Sequence, residues 1–68
     1  MLEKELKKKI RFLYIALGSN TEIETQLIIA KNLKYLTGNQ FQDLEKHNQL
    51  IGKQLINLIR HFENKNKG

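Results

Sequence analysis

Few side chains in this 68-residue chain have the types and spacing that chemistry requires. The two histidines, His47 and His61, lack the neighbouring nitrogen, oxygen or sulfur ligands that a metal site needs. Glu22 and Glu24 are two residues apart and point to different faces of a helix, so they do not form a carboxylate pair. These residues are therefore interpreted as surface groups, and no metal-binding residues are predicted.

Nucleophilic and phosphate-binding arrangements are missing as well. The sequence has no cysteine, no serine that belongs to a plausible set with a histidine and a carboxylate, and no glycine-rich phosphate loop. It supplies binding surfaces but no convergent acid, base or nucleophile. We therefore predict a protein that is not an enzyme, has no catalytic residues and uses no cofactor.

Positive charge is the strongest chemical signal, and its placement says more than the net value of +5. If two antiparallel helices form, both ends of the chain lie together with eight cations against three acids, which leaves +5, while the remainder balances to zero. Lysine and arginine neutralise phosphates without reading sequence, so weak, non-sequence-specific binding of RNA or DNA is predicted here. The candidate residues are Lys4, Lys7, Lys8, Lys9, Arg11, Arg60, Lys65 and Lys67.

Two other interpretations of this charge stay open. One is a solvated chain end that only keeps the protein in solution, since Lys7, Lys8 and Lys9 cannot all face one way on a helix. The other is binding of the basic, amphipathic start of the first helix to an anionic membrane surface. The longest apolar run, residues 12–17, is far too short to span a bilayer, and no signal peptide is recognisable, so a cytoplasmic protein is expected.

Two long helical patterns must position these groups, and the sequence between them has clear signals for the start of a helix. Thr37 and Gln40 have the spacing of a capping box, and Leu36 and Phe41 have that of a hydrophobic staple. We therefore predict an all-α fold, an antiparallel helical hairpin that forms a single domain. The predicted elements are a helix over about residues 3–35, a turn over 36–38 and a helix over about 38–64.

The segment Gly18-Ser19-Asn20-Thr21 offers a different division of the first helix. Ser19 and Thr21 each begin a capping-box spacing, so the chain could break at Gly18 and form three shorter helices. A single glycine inside a helix costs only ~1 kcal/mol, and the apolar pattern continues in register beyond it. We therefore predict one continuous first helix.

Both helices carry more apolar surface than one contact between them can cover. The first has two adjacent apolar stripes, and the second has an apolar heptad repeat from Phe41 to Phe62. Because a hairpin of this size can hardly bury a core alone, we predict that it assembles into a four-helix bundle by oligomerisation. The predicted core and oligomer residues are Leu13, Leu17, Leu27, Leu44, Ile51, Leu55 and Leu58.

Asn48 is the one polar member of that heptad repeat. Measured from a turn centred near Thr37, it is level with Gln26, and a buried amide pair between them would fix the register of the helices. A solvent-facing boundary position is the alternative for Asn48. Gly18 and Gly52 fall within about one turn of each other's height, and we predict that they let the helix backbones approach closely.

One stretch of the chain resembles a known protein family. Arg11-Phe12-Leu13-Tyr14-Ile15-Ala16-Leu17-Gly18-Ser19, followed by Glu22-Ile23-Glu24-Thr25-Gln26-Leu27, resembles a bacterial family of small four-helix-bundle proteins that intervening sequences of 23S ribosomal RNA genes often encode. Ile51-Gly52-Lys53 and Leu58-Ile59-Arg60 are similar to that family too. Its members are nearly twice this long, so the resemblance identifies the chain with their C-terminal half.

The resemblance implies partners and no catalysis. Similar bundles are accessory subunits of diversity-generating retroelements, in which basic, ring-shaped oligomers engage reverse transcriptase and nucleic acid. By this analogy the expected partners are further copies of the chain, RNA or DNA, and a reverse-transcriptase-like protein. The alternative is a truncated remnant or subunit that needs a missing helical half or a protein partner and has no independent activity.

Overall fold

The computed structural model describes residues 3–67, which form two α-helices of equal length joined by a short connector. Helix α1 spans Glu3–Asn32 and helix α2 spans Gly38–Lys67, with 30 residues in each. The helices lie antiparallel and side by side, so the molecule is elongated, 48 × 14 × 12 Å. The prediction of an all-α helical hairpin is thus confirmed for the described residues, in which there is no strand.

Helix α1 is continuous through Gly18, so the alternative with three shorter helices is wrong. The hydroxyl of Thr21 donates a hydrogen bond of 3.2 Å to the carbonyl oxygen of Leu17, inside the same helix. It therefore does not cap a new helix. The small cost of one glycine is outweighed because the residues before and after it, Leu17 and Asn20, both pack against α2.

Helix α2 begins with the capping box that the sequence predicts. The backbone N–H of Gln40 donates to the Thr37 hydroxyl at 3.1 Å, and the backbone N–H of Thr37 donates to the Gln40 side-chain oxygen at 2.9 Å. Two N–H groups that the helix itself cannot satisfy thus find partners. The helix continues to Lys67, three residues past the end expected near residue 64.

Helix α1 ends at Asn32, earlier than the end expected near residue 35, because the chain reverses at Lys34. Lys34 has a φ of 66°, in the left-handed region that usually holds glycine. Its N–H donates to the carbonyl of Lys31 at 3.0 Å, and the N–H of Tyr35 donates to that of Ala30 at 2.9 Å. This pair of hydrogen bonds is a Schellman motif, which closes the helix without a glycine.

The two helices meet along a regular seam whose residues are alternately four and three positions apart, as in an antiparallel coiled coil. The most deeply buried apolar side chains are Leu6 and Leu13 of α1 and Phe41 and Ile59 of α2. The seam consists of Leu6, Ile10, Leu13, Leu17, Asn20, Glu24 and Leu27 of α1 and Phe41, Glu45, Asn48, Gly52, Leu55, Ile59 and Phe62 of α2.

The residues predicted for the core fall into two groups. Those of the first group lie in the seam, where Leu13 is buried and its companions are half-buried. They are Leu13, Leu17, Leu27 and Leu55. The second group consists of Leu44, Ile51 and Leu58, each one position before a seam residue of α2 and between 42 and 49% exposed. The hairpin therefore leaves this second group uncovered.

An apolar face, an amide pair and a basic end

One side of the hairpin beside the seam is a contiguous apolar surface, which we call the apolar face. It is formed by Phe12, Ile15, Ala16, Ser19 and Ile23 of α1 and by Leu44, Ile51 and Leu58 of α2. Phe12 and Ile15 are 68% and 60% exposed. Ile51 and the α1 side chains of this face line an open groove between the helices, together with the seam residues beneath them. Monomeric proteins seldom expose such a surface without a use for it.

The other side of the seam, the polar face, has a mixed composition. Its residues are Lys7, Tyr14, Thr21 and Ile28 of α1 and Gln42, Gln49, Ile56 and Glu63 of α2, each series being spaced by seven. Here the hydroxyl of Tyr14 donates a hydrogen bond of 3.0 Å to a carboxylate oxygen of Glu63. That bond raises the pKa of the Tyr14 phenol above its usual 10.0, and desolvation and the charge of Glu63 act in the same direction.

An amide pair joins the helices at mid-length, where the groove of the apolar face reaches the seam. The Asn20 side-chain nitrogen donates to both the backbone oxygen and the side-chain oxygen of Asn48, at 2.8 and 2.7 Å. The Asn48 side-chain nitrogen donates in return to the backbone oxygen of Asn20 at 3.0 Å. Asn48 is only 6% exposed, so these hydrogen bonds replace those that water would otherwise make.

The expected pairing of Asn48 with Gln26 is therefore wrong, although a buried amide pair does exist. The midpoint between Asn20 and Asn48 is residue 34, where the chain reverses, and not the expected turn centre near Thr37. Gln26 consequently lies outside the seam and is exposed. Sequence reasoning missed Asn20, although it stands seven residues from both Leu13 and Leu27 and so shares their stripe.

The two helix glycines near this pair differ in their surroundings. A β-carbon at Gly52 would lie 2.7 Å from the side-chain oxygen of Asn20, so the absence of a side chain makes room for the amide pair. A β-carbon at Gly18 would have no atom within 4 Å. The predicted close approach is therefore present at Gly52, where it involves a side chain and not the facing backbone, and is absent at Gly18.

The predicted nucleic-acid-binding residues gather at one end of the hairpin, which we call the basic end. They are Lys4, Lys7, Lys8, Lys9 and Arg11 on α1 and Arg60, Lys65 and Lys67 on α2, and all are exposed except Lys67, whose side chain lies outside the described part. Lys7 forms an ion pair of 3.2 Å with Glu3, and the Lys9 ammonium lies 5.8 Å from the ring centre of Phe62. The cations surround the end and do not form one stripe.

Neither a metal site nor a membrane span is formed by the described residues. No group of three or more histidine, cysteine, aspartate or glutamate side chains within residues 3–67 is placed to hold a metal ion. Across the same residues, neither helix has a stretch long and apolar enough to cross a membrane. The surfaces that call for an explanation are thus the apolar face and the basic end.

Fold and surfaces together define a small helical hairpin with one apolar face and one basic end. The chain matches the family described as 23S rRNA-intervening sequence protein over residues 3–57, and it belongs to that family. The match contains α1, the connector and most of α2, which confirms the resemblance seen over residues 11–27, and it ends just before Leu58-Ile59-Arg60. Comparison with curated proteins and with solved structures gave no match.

Proposed function

We propose that this protein is a non-enzymatic assembly module, a helical hairpin that oligomerises through its apolar face to complete a four-helix bundle. The observation that supports this proposal is the uncovered groove in which Ile23 and Ile51 are 46% and 49% exposed. A second hairpin laid against this face would bury it in the way a four-helix bundle buries its core.

Packing within the hairpin gives a reason for such assembly. Four apolar side chains are buried in the described residues, few for a chain that must order about 65 residues, and small domains commonly add oligomerisation for this reason. Covering a half-exposed isoleucine or leucine contributes roughly 1 kcal/mol. Besides Phe12, the apolar face has five exposed isoleucine and leucine side chains, so its burial adds several kcal/mol to the stability of the folded state.

The test is a charge placed at the centre of the apolar face. We expect the unmodified chain to sediment as a dimer or larger assembly, and the double variant Ile23→Glu with Ile51→Glu to dissociate at least 100-fold more readily, because two desolvated carboxylates face the partner. The matched control is Ile28→Glu with Ile56→Glu on the polar face, where the two isoleucines are 43% and 39% exposed, and it should leave the mass unchanged. Equal dissociation of both variants would contradict the assignment to this face.

A monomeric unmodified chain would overturn the proposal itself. The alternative would then take its place: a truncated remnant or subunit whose apolar face is covered by a further helical half or by a protein partner. By the analogy with retroelement accessory bundles that the sequence prompted, a reverse-transcriptase-like protein is the partner to try first in that case.

For the basic end we propose weak, salt-dependent binding of nucleic acid without sequence preference. Support comes from the antiparallel arrangement, which brings eight of the twelve lysine and arginine residues of the chain to one end against three acids. Lys4, Lys8 and Arg11 are the cations of α1 that are exposed without an ion pair or a ring contact within the described residues. These side chains are free to meet phosphates.

Removing these three cations should weaken binding where removing three others does not. For the triple variant Lys4→Gln, Lys8→Gln and Arg11→Gln, we expect at least a tenfold weaker affinity for a labelled single-stranded RNA at low salt. The slope of log affinity against log salt should also fall by about 2. The control variant Lys34→Gln, Lys46→Gln and Lys53→Gln removes the same charge from the other half. Fluorescence anisotropy measures both, and equal losses would refute a site at the basic end.

A further inference from the structure

The apolar face can be shared by two copies in two ways, and the structure distinguishes them. In a twofold dimer the same face of each copy contacts the other. If the twofold axis runs along the hairpin, the two basic ends lie side by side. If it runs across the hairpin, each basic end lies against the connector end of the other copy. We propose the second arrangement, a dimer of opposite polarity. This inference rests on the proposed assembly function.

Charge favours this arrangement. Each basic end holds the whole net charge of +5, whereas the connector half holds four cations and four acids and is neutral. Axial alignment with the same polarity would place two ends of +5 within a bundle width of each other, where like charges repel, most strongly at low salt. Opposite polarity places each +5 beside a neutral surface.

The heights of the apolar side chains suit this arrangement. A twofold axis across the hairpin lays each helix over the same helix of the other copy. At ~1.5 Å per residue, Leu44 and Leu58 lie about 10 Å from Ile51, on opposite sides of it. An axis level with Ile51 therefore brings Leu44 of one copy over Leu58 of the other, so that apolar side chains of α2 meet apolar side chains.

Opposite polarity also places the two basic ends at opposite tips of a bundle about one hairpin long, 48 Å. One consequence is a particle with a separate basic end at each tip, each able to hold its own segment of polyanion.

Spin labels test the polarity, and the chain has no cysteine that would interfere. Asn39 and Asn64 are both exposed and lie near opposite ends of α2. In the separately labelled variants Asn39→Cys and Asn64→Cys, we expect distances between the two copies of roughly 35 Å or more at both positions, from the axial offset alone. Dimers of the same polarity would give about 25 Å or less at both, the width of a four-helix bundle, and would overturn the inference.

Two controls separate this inference from the proposed function. Sedimentation of the same labelled samples shows whether they assemble: a monomer refutes the assembly function, while an assembly with short distances refutes only the polarity. The salt dependence of the dimer gives independent evidence. Because opposite polarity keeps the two +5 ends apart, a rise in salt concentration should change the dimer affinity little. A dimer that tightens markedly as salt rises has its basic ends side by side, and the polarity is then wrong.

Discussion

Replacing Asn48 with leucine is expected to lower the free energy of unfolding by about 2 kcal/mol, although leucine is the more apolar residue. The change leaves the partly buried Asn20 amide only the Asn48 backbone oxygen as a partner, and a polar group that loses a hydrogen bond in such a place costs ~1–3 kcal/mol. Asn20→Leu should cost a similar amount for the same reason. Urea unfolding followed by circular dichroism, at one fixed protein concentration, measures both.

The double variant Asn20→Leu with Asn48→Leu provides the stronger test. Because both amides are then gone, we expect it to recover most of the loss or to exceed the original stability, as replacement of buried polar pairs by apolar side chains often does. Gln26→Leu is the matched control, since Gln26 is exposed and outside the seam, and it should change stability by less than about 0.5 kcal/mol. Additive losses in the double variant would refute the pairing.

Replacing Gly18 and Gly52 by alanine is expected to change the free energy of unfolding in opposite directions. Gly18→Ala should raise the free energy of unfolding by about 0.5–1 kcal/mol, because alanine favours a helix over glycine and its β-carbon meets no atom. Gly52→Ala should lower it by about 1–2 kcal/mol in spite of the same propensity gain. Its β-carbon would lie 2.7 Å from the Asn20 oxygen and would push the amide from its partner.

The combination of Gly52→Ala with Asn20→Ala shows whether the clash is the cause. Shortening Asn20 removes the atom that the new β-carbon meets, so adding Gly52→Ala to Asn20→Ala should be neutral or stabilising. Equal gains from Gly18→Ala and Gly52→Ala in the original chain would show that Asn20 moves aside without cost. The same urea unfolding experiment measures all four variants.

Features decided by neighbouring residues were predictable from the sequence. The capping box of Thr37 and Gln40 depends on two side chains three positions apart, and it located the start of α2 correctly. The end of α1 was not predictable in this way. Its Schellman motif is built around Lys34, where the usual glycine signal is missing, and the backbone hydrogen bonds that stabilise it leave no mark in the sequence.

The candidate site was predictable in part. Every seventh residue of the α2 seam, from Phe41 to Phe62, was predicted correctly. The intervening seam positions were not, because Leu44 and Ile51 are more apolar than the true seam residues Glu45 and Gly52. Hydrophobicity alone therefore favours the wrong stripe at these positions. The chain reverses at residue 34 and not at the expected residue 37. This position of the turn determines which residues of α1 and α2 lie opposite each other, and so which stripe of α2 faces α1. The clustering of cations at one end needed only the antiparallel order of the helices, so it was foreseeable.

The positions of the interhelical contacts along the hairpin also determine the order in which they can form. Lys31 and Phe41, whose ammonium and ring centre are 4.6 Å apart, are close to the connector, whereas the amide pair spans 28 residues and the Tyr14–Glu63 bond spans 49. Because closing a longer loop costs more entropy, α1 and α2 should zip together from the connector outward. Asn20 and Asn48 then meet before the cations are brought together, so a misaligned pair of helices is rejected before it has to overcome the repulsion at the basic end.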